Sequence, residues 1–117
     1  MQWAEADENV VYGVINGGFF DMQKNDSASF ICSNGHVFHP NGINAQPTNN
    51  IFPTIGTIGT FKNGSFSIDW VYSFGSNFET YAYPAPNPYP GPAPTKTNGK
   101  YWDVLEGMGA GPILVKN

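Results

Sequence analysis

Ile55-Gly56-Thr57-Ile58-Gly59-Thr60-Phe61 runs through Lys62 into Asn63-Gly64, and Ser65-Phe66-Ser67-Ile68-Asp69-Trp70-Val71-Tyr72-Ser73 follows. Asn-Gly between two apolar runs is a strong short-range hairpin signal, because both residues tolerate the positive φ angles of a tight hairpin turn. The second run alternates. Side chains on a strand point to opposite faces in turn, so Phe66, Ile68, Trp70 and Tyr72 share one face and Ser65, Ser67, Asp69 and Ser73 the other. The expectation is an antiparallel pair with its aromatic face packed and its serine face wet.

Working outward, Ala28 to Cys32 and His36 to Phe38 read as two short strands around Ser33-Asn34-Gly35. Val10 to Ile15 is a continuous apolar run, the pattern of a strand buried on both faces, and Asn16-Gly17-Gly18 stops it. Phe78 to Tyr83 adds a further strand, and Pro112 to Lys116 an apolar one. Met1 to Glu8 reads as the last turns of a helix, and Trp102 to Glu106 as a single helical turn that Asp103 caps. From Pro84 to Pro94 proline recurs at every second position, which favours an extended covering loop with few backbone donors. The fold class is therefore α+β, mostly antiparallel β-sheet with little helix. The clipped first helix and the apolar final strand point to an incomplete part of a larger domain.

Composition narrows the function. In 117 residues only 12% are charged while 15% are aromatic, the reverse of a disordered chain. Net charge is -4 and all five basic residues are lysines, so phosphate-backbone attraction to nucleic acid has no basis. No apolar run reaches the roughly 20 residues of a membrane span, and Met1 opens no signal-peptide pattern. Cys32 is the single cysteine, which leaves no internal disulfide and no thiolate cluster for a metal.

Two glycine segments are the candidates for chemistry. Asn16-Gly17-Gly18-Phe19-Phe20-Asp21 ends a buried strand: the glycines bring amides close to a ligand, Asn16 donates and accepts, Asp21 is a base or nucleophile, and the phenylalanines form an apolar wall. Gly107-Met108-Gly109-Ala110-Gly111-Pro112 reads as a loop that offers amides to an anion. It is not a nucleotide-binding loop, since no Gly-Lys-Ser/Thr follows and a strand stands where a helix should. His36 and His39, three apart on a strand, point to opposite faces and make a poor metal pair. Asp21, Asp69, Glu79, Asp103 and Glu106 are the carboxylates among which a glycosidase pair could lie. No Gly-x-Ser-x-Gly elbow is present.

Taken together, Val14-Ile15-Asn16-Gly17-Gly18-Phe19-Phe20-Asp21 and Gly109-Ala110-Gly111-Pro112-Ile113-Leu114-Val115-Lys116 resemble the two signatures of the phosphodiester glycosidase domain family. Thr80 to Pro86 and Trp102-Asp103-Val104 look like its Bacteroidetes-type branch. The resemblance runs from about Ala4 to Asn117. It implies the N-terminal part of a hydrolase that cleaves a sugar-1-phosphodiester at the anomeric carbon, without a cofactor, and an extracellular or periplasmic location. It implies Asn16 and Asp21 as catalytic residues, and Gly17, Gly18, Phe19, Phe20, Gly109, Gly111 and Pro112 against the substrate. Relatives continue to an Arg-Thr-Ala segment and an Asp-Gly-Gly-Gly-Ser motif, which this chain lacks, so its expected partner is the C-terminal half of the same domain and alone it is expected to be inactive. Two alternatives stay open: a non-catalytic carbohydrate-binding module using Tyr89 or Trp102, and a structural segment whose proline tract docks a partner.

Overall fold

A computed structural model describes residues 20–40, 52–88, 90–111 and 113–114. The expected helix at 1–8 and strand at 10–15 lie outside these, as do Asn16, Gly17, Gly18, Phe19, Tyr89 and Pro112. The fold is mostly antiparallel β-sheet with little helix, built on a curled seven-stranded sheet.

A small ribbon of β1 (Phe20–Asp21) and β2 (Asp26–Ser27) precedes β3 (Ile31–Ser33), β4 (His36–His39), β5 (Ile55–Thr60), β6 (Phe66–Phe74), β7 (Glu79–Tyr83), β8 (Lys100–Tyr101) and β9 (Glu106–Gly109). The large sheet has the order β4-β3-β9-β5-β6-β7-β8, and every pairing is antiparallel. The last described strand thus lies between β3 and β5. The described helix is one 3-10 turn, Lys96–Asn98, capped by the Thr95 side chain.

The two Asn-Gly pairs behave differently. Asn34 and Gly35 both take positive φ, 50° and 76°, and make a two-residue turn between β3 and β4. At Asn63-Gly64 only Gly64 does, at 84°. There the Gly64 amide reaches the Phe61 carbonyl at 2.9 Å and the Phe61 amide reaches Ser65, a three-residue loop closed by one left-handed glycine. Asn63 instead spends its side-chain oxygen on Ser65, at 2.9 Å to the amide and 2.6 Å to the hydroxyl. The hairpin is where the sequence puts it, but of the Asn63-Gly64 pair only the glycine takes a positive φ.

The faces of β6 are also reversed. Val71, on the serine side, is fully buried, while Phe66 is 69% and Ile68 44% exposed. Register explains it. Thr57, Gly59, Val71, Ala82, Gly107, Gly109 and Cys32 share the inner face across five strands. All are small, so the curled sheet leaves room for two large rings delivered from connections, Phe30 and Trp102, set edge to face at 5.9 Å. A methyl group on Gly59 would stand 2.5 Å from the Trp102 ring, and one on Gly107 3.0 Å from Phe30. Bulk comes from the loops and smallness from the strands.

Two further expectations fail for related reasons. Trp102 to Glu106 is not a helical turn: the Trp102 amide is taken by Thr80 at 2.9 Å and the Leu105 amide by Thr60 at 2.7 Å, so neighbouring strands outcompete a local helix. The glycine segment before Gly111 is not a loop, because Gly107 and Gly109 belong to a central strand. The proline tract does cover: Asn87 donates from its amide to Thr54 at 2.9 Å and from its side chain to Phe52 and Pro92, both at 3.0 Å.

Candidate functional site

Chain leaving the first glycine segment enters the β1–β2 ribbon. Phe20 is exposed there, and Asp21 faces Asp26 directly across the pair. Two carboxylates opposite one another repel. Each is offset by amides: one Asp21 oxygen accepts from Gln23 at 2.9 Å and Lys24 at 3.2 Å, and Asp26 accepts from Ser27 at 2.8 Å. Asp21 therefore caps its own turn, an arrangement that organises the loop rather than leaving a base poised.

Past the ribbon, Ser27 and Ser29 lock the chain by accepting and donating around the Ser27 hydroxyl, at 2.8 and 3.2 Å. Ser29 then donates to the Gly109 carbonyl at 3.3 Å, and the Gly109 amide donates to Phe30 at 2.7 Å. Side chains are excluded here, since a Cβ on Gly109 would sit 2.8 Å from the Phe30 nitrogen. The Ala110 amide is also engaged, by Gly56 at 3.0 Å. Gly111 lies just beyond, exposed, with open space where a Cβ would be.

One residue pair at this end carries no sequence signal. His39 Nε2 lies 4.0 Å from an Asp26 oxygen, its side chain 14% exposed, and its Nδ1 is buried with no hydrogen-bond partner among the described residues. Such an orphan is uncommon, because a buried polar atom without a partner costs about 1–3 kcal/mol. His36 turns away and sets its ring edge-on to Phe38 at 4.6 Å. Spacing separated the two histidines correctly, but only tertiary structure brings Asp26 to one of them.

The other carboxylates serve structure. Glu106 accepts the Asn34 amide at 2.8 Å and so braces the β3–β4 turn. Glu79 pairs with the exposed Lys96, and that hydrogen bond is the first cause of the raised Lys96 pKa. Cys32 is buried, and burial first, then the Glu106 charge, pushes its thiol up, which keeps it protonated and unreactive. Trp102 is buried too, with its indole N–H on Ser67 at 3.2 Å, so it offers no sugar platform.

Two further features lie away from the glycine end. The outer face of β6 to β8 carries a ladder of rings, Tyr72, Phe74, Tyr81 and Tyr101, each edge to face with the next at 5.0, 5.5 and 5.7 Å. A cavity of about 600 Å³ opens between β4 and the β7–β8 side, with Phe38, Phe78, Tyr101, Glu79 and Asp103 among its walls. Among the described residues no helix is long and apolar enough to cross a membrane.

No family model, curated protein or solved structure matches this chain.

Proposed function

We propose that this chain is the N-terminal part of a phosphodiester glycosidase-type hydrolase that cleaves a sugar-1-phosphodiester at the anomeric carbon, and that it turns over only with the rest of its domain. One observation carries the reading. The hydrogen bonds of Ser29 and Phe30 to Gly109 tie the chain that leaves the first glycine segment to the second, 80 residues away. The chain that follows the first signature is thus held against Gly109 of the second.

The chemistry suits a chain with few charges. A phosphate monoester leaves readily, so the main tasks are holding the sugar, stabilising the departing phosphate and placing water. Asn16 and Phe20 serve the sugar, and Gly111, whose surroundings are open, serves the phosphate. Asp21 shapes the loop. A cation for the phosphate comes from the C-terminal half, because this chain has no arginine. The exposed Phe66 and Ile68 face suits such a half-domain, whose missing partner would cover it.

The test is hydrolysis of a GlcNAc-1-phosphodiester by the chain alone and with a C-terminal half supplied in trans. Turnover is expected only in the second case and is lost with Asn16→Ala; an Asn16→Ala rate equal to the parent's removes Asn16 from the mechanism. A second reading, non-catalytic sugar binding, is favoured by the ring ladder, and it requires phosphate-independent sugar affinity that falls with Tyr101→Ala.

A further inference from the structure

Among the described residues the seven-stranded sheet curls without pairing its ends. Its terminal strands there are β4 and β8, and both contribute to the cavity of about 600 Å³. Terminal strands present unpaired N–H and C=O groups, and natural proteins usually blunt them with charge, proline or cover. On the β8 side Lys100 does this. Within β4, His36-Val37-Phe38-His39, there is neither lysine nor proline, and Phe38 is 61% exposed.

Turn geometry says which groups are free. In a hairpin with a two-residue turn, the flanking residues, here Ser33 and His36, exchange hydrogen bonds, and the next pair does not. That next pair is Cys32 and Val37. The Val37 amide and carbonyl therefore point away from β3, toward the free edge, while its side chain packs against the core. Val104 and Trp102 also line the cavity, giving it an apolar side, and among the described residues its charged lining is Glu79, already paired with Lys96, and Asp103.

We propose that this seam is a docking site for an extended peptide that adds as a strand to the free edge of β4. Its backbone pairs with Val37, its apolar side chains enter the cavity against Val104 and Tyr101, and its alternate, basic side chains face Asp103. An anionic ligand is disfavoured by the Asp103 carboxylate, so the seam is distinct from the phosphate site proposed at Gly111.

Three probes test it against the full chain labelled with nitrogen-15: Ac-Lys-Val-Lys-Val-Lys-NH2, the same sequence with Glu for Lys, and the Lys peptide N-methylated at the central residue. The basic probe is expected to shift the Val37 amide and to bind about tenfold tighter than either control. Asp103→Asn, an exposed change, is expected to narrow its advantage over the acidic probe while the spectrum stays folded. Equal binding of the methylated probe overturns the proposal, because main-chain pairing is then not used. So do equal binding of the acidic probe, shifts confined to Tyr72, Phe74 and Tyr81, or self-association through β4 without any peptide, which would make a second copy the occupant.

Discussion

At the scale of single residues, the decisive atoms are those whose place leaves no freedom. Gly59 is one, because any Cβ there meets the Trp102 ring at 2.5 Å and the Val104 side chain at 2.6 Å. Gly59→Ala is expected to cost about 1–3 kcal/mol in chemical denaturation, the range for overpacking a filled core. Tyr83 makes a different prediction. Burial, then the neighbouring Tyr72 and Tyr81, push its hydroxyl from 10.0 up to about 12, and it donates to the Thr95 carbonyl at 3.0 Å. A raised folded-state value stabilises fully below the unfolded value, and that contribution disappears as pH climbs from about 10 toward about 12. Denaturation midpoints followed from pH 9 upward should fall more steeply for the parent than for Tyr83→Phe, which should itself start about 1 kcal/mol lower for the lost bond. Asp21 tests role rather than strength. Asparagine keeps the side-chain oxygen that accepts from Gln23 and Lys24, so Asp21→Asn should leave turnover of the complemented enzyme within about threefold, whereas a catalytic base would lose at least about a hundredfold.

At the scale of elements, what local sequence decides is visible and what neighbours decide is not. The strand pairs β3–β4 and β5–β6, and a strand at β7, follow from alternation and turn residues, since both act over a few positions. Which Asn-Gly makes the tight turn does not follow. Asn63 has Ser65 two residues on to hold its side chain, while Asn34 has Glu106, 72 residues away, to hold its amide. The same distance hides β9. Gly107 and Gly109 look like a loop by composition and become a central strand because Phe30 needs glycine beneath it. Trp102 to Glu106 fails as a helix because Thr80 and Thr60 claim its amides. Of the candidate site, the glycine segments stand out in sequence, but the Asp26–His39 pair does not, since no spacing links them. Gly35, at φ 76° in the tighter turn, should be the more sensitive to a β-carbon: Gly35→Ala is expected to cost about 1–2 kcal/mol and to shift the Val37 amide resonance as the edge of β4 loosens.

At the scale of the whole molecule, the sheet is apolar on both faces but closed on one. Small residues line the inside because large rings fill it from the connections, and the large strand residues are left to face outward. This reversal is open to a direct comparison within one strand. Val71 is fully buried and touches the cluster of Phe30, Cys32, Trp102 and Val104. Three residues earlier, Ile68 pairs with Ile58, both partly exposed at 44% and 38%, and Phe66 stands out further. Val71→Ala removes buried methyl groups with little room for the core to collapse, and should cost about 2 kcal/mol. Phe66→Ser should stay within about 0.5 kcal/mol for the chain by itself, as surface substitutions do. If the outward face is the seat of a C-terminal half, the ranking inverts when that half is added: Phe66→Ser, combined with Ile68→Ser, should weaken complementation by at least about tenfold, the penalty of removing apolar anchors from an interface. Equal complementation by the double variant would detach that face from the remainder of the domain, and a large loss from Phe66→Ser in the isolated chain would restore the packed aromatic face that alternation alone suggests.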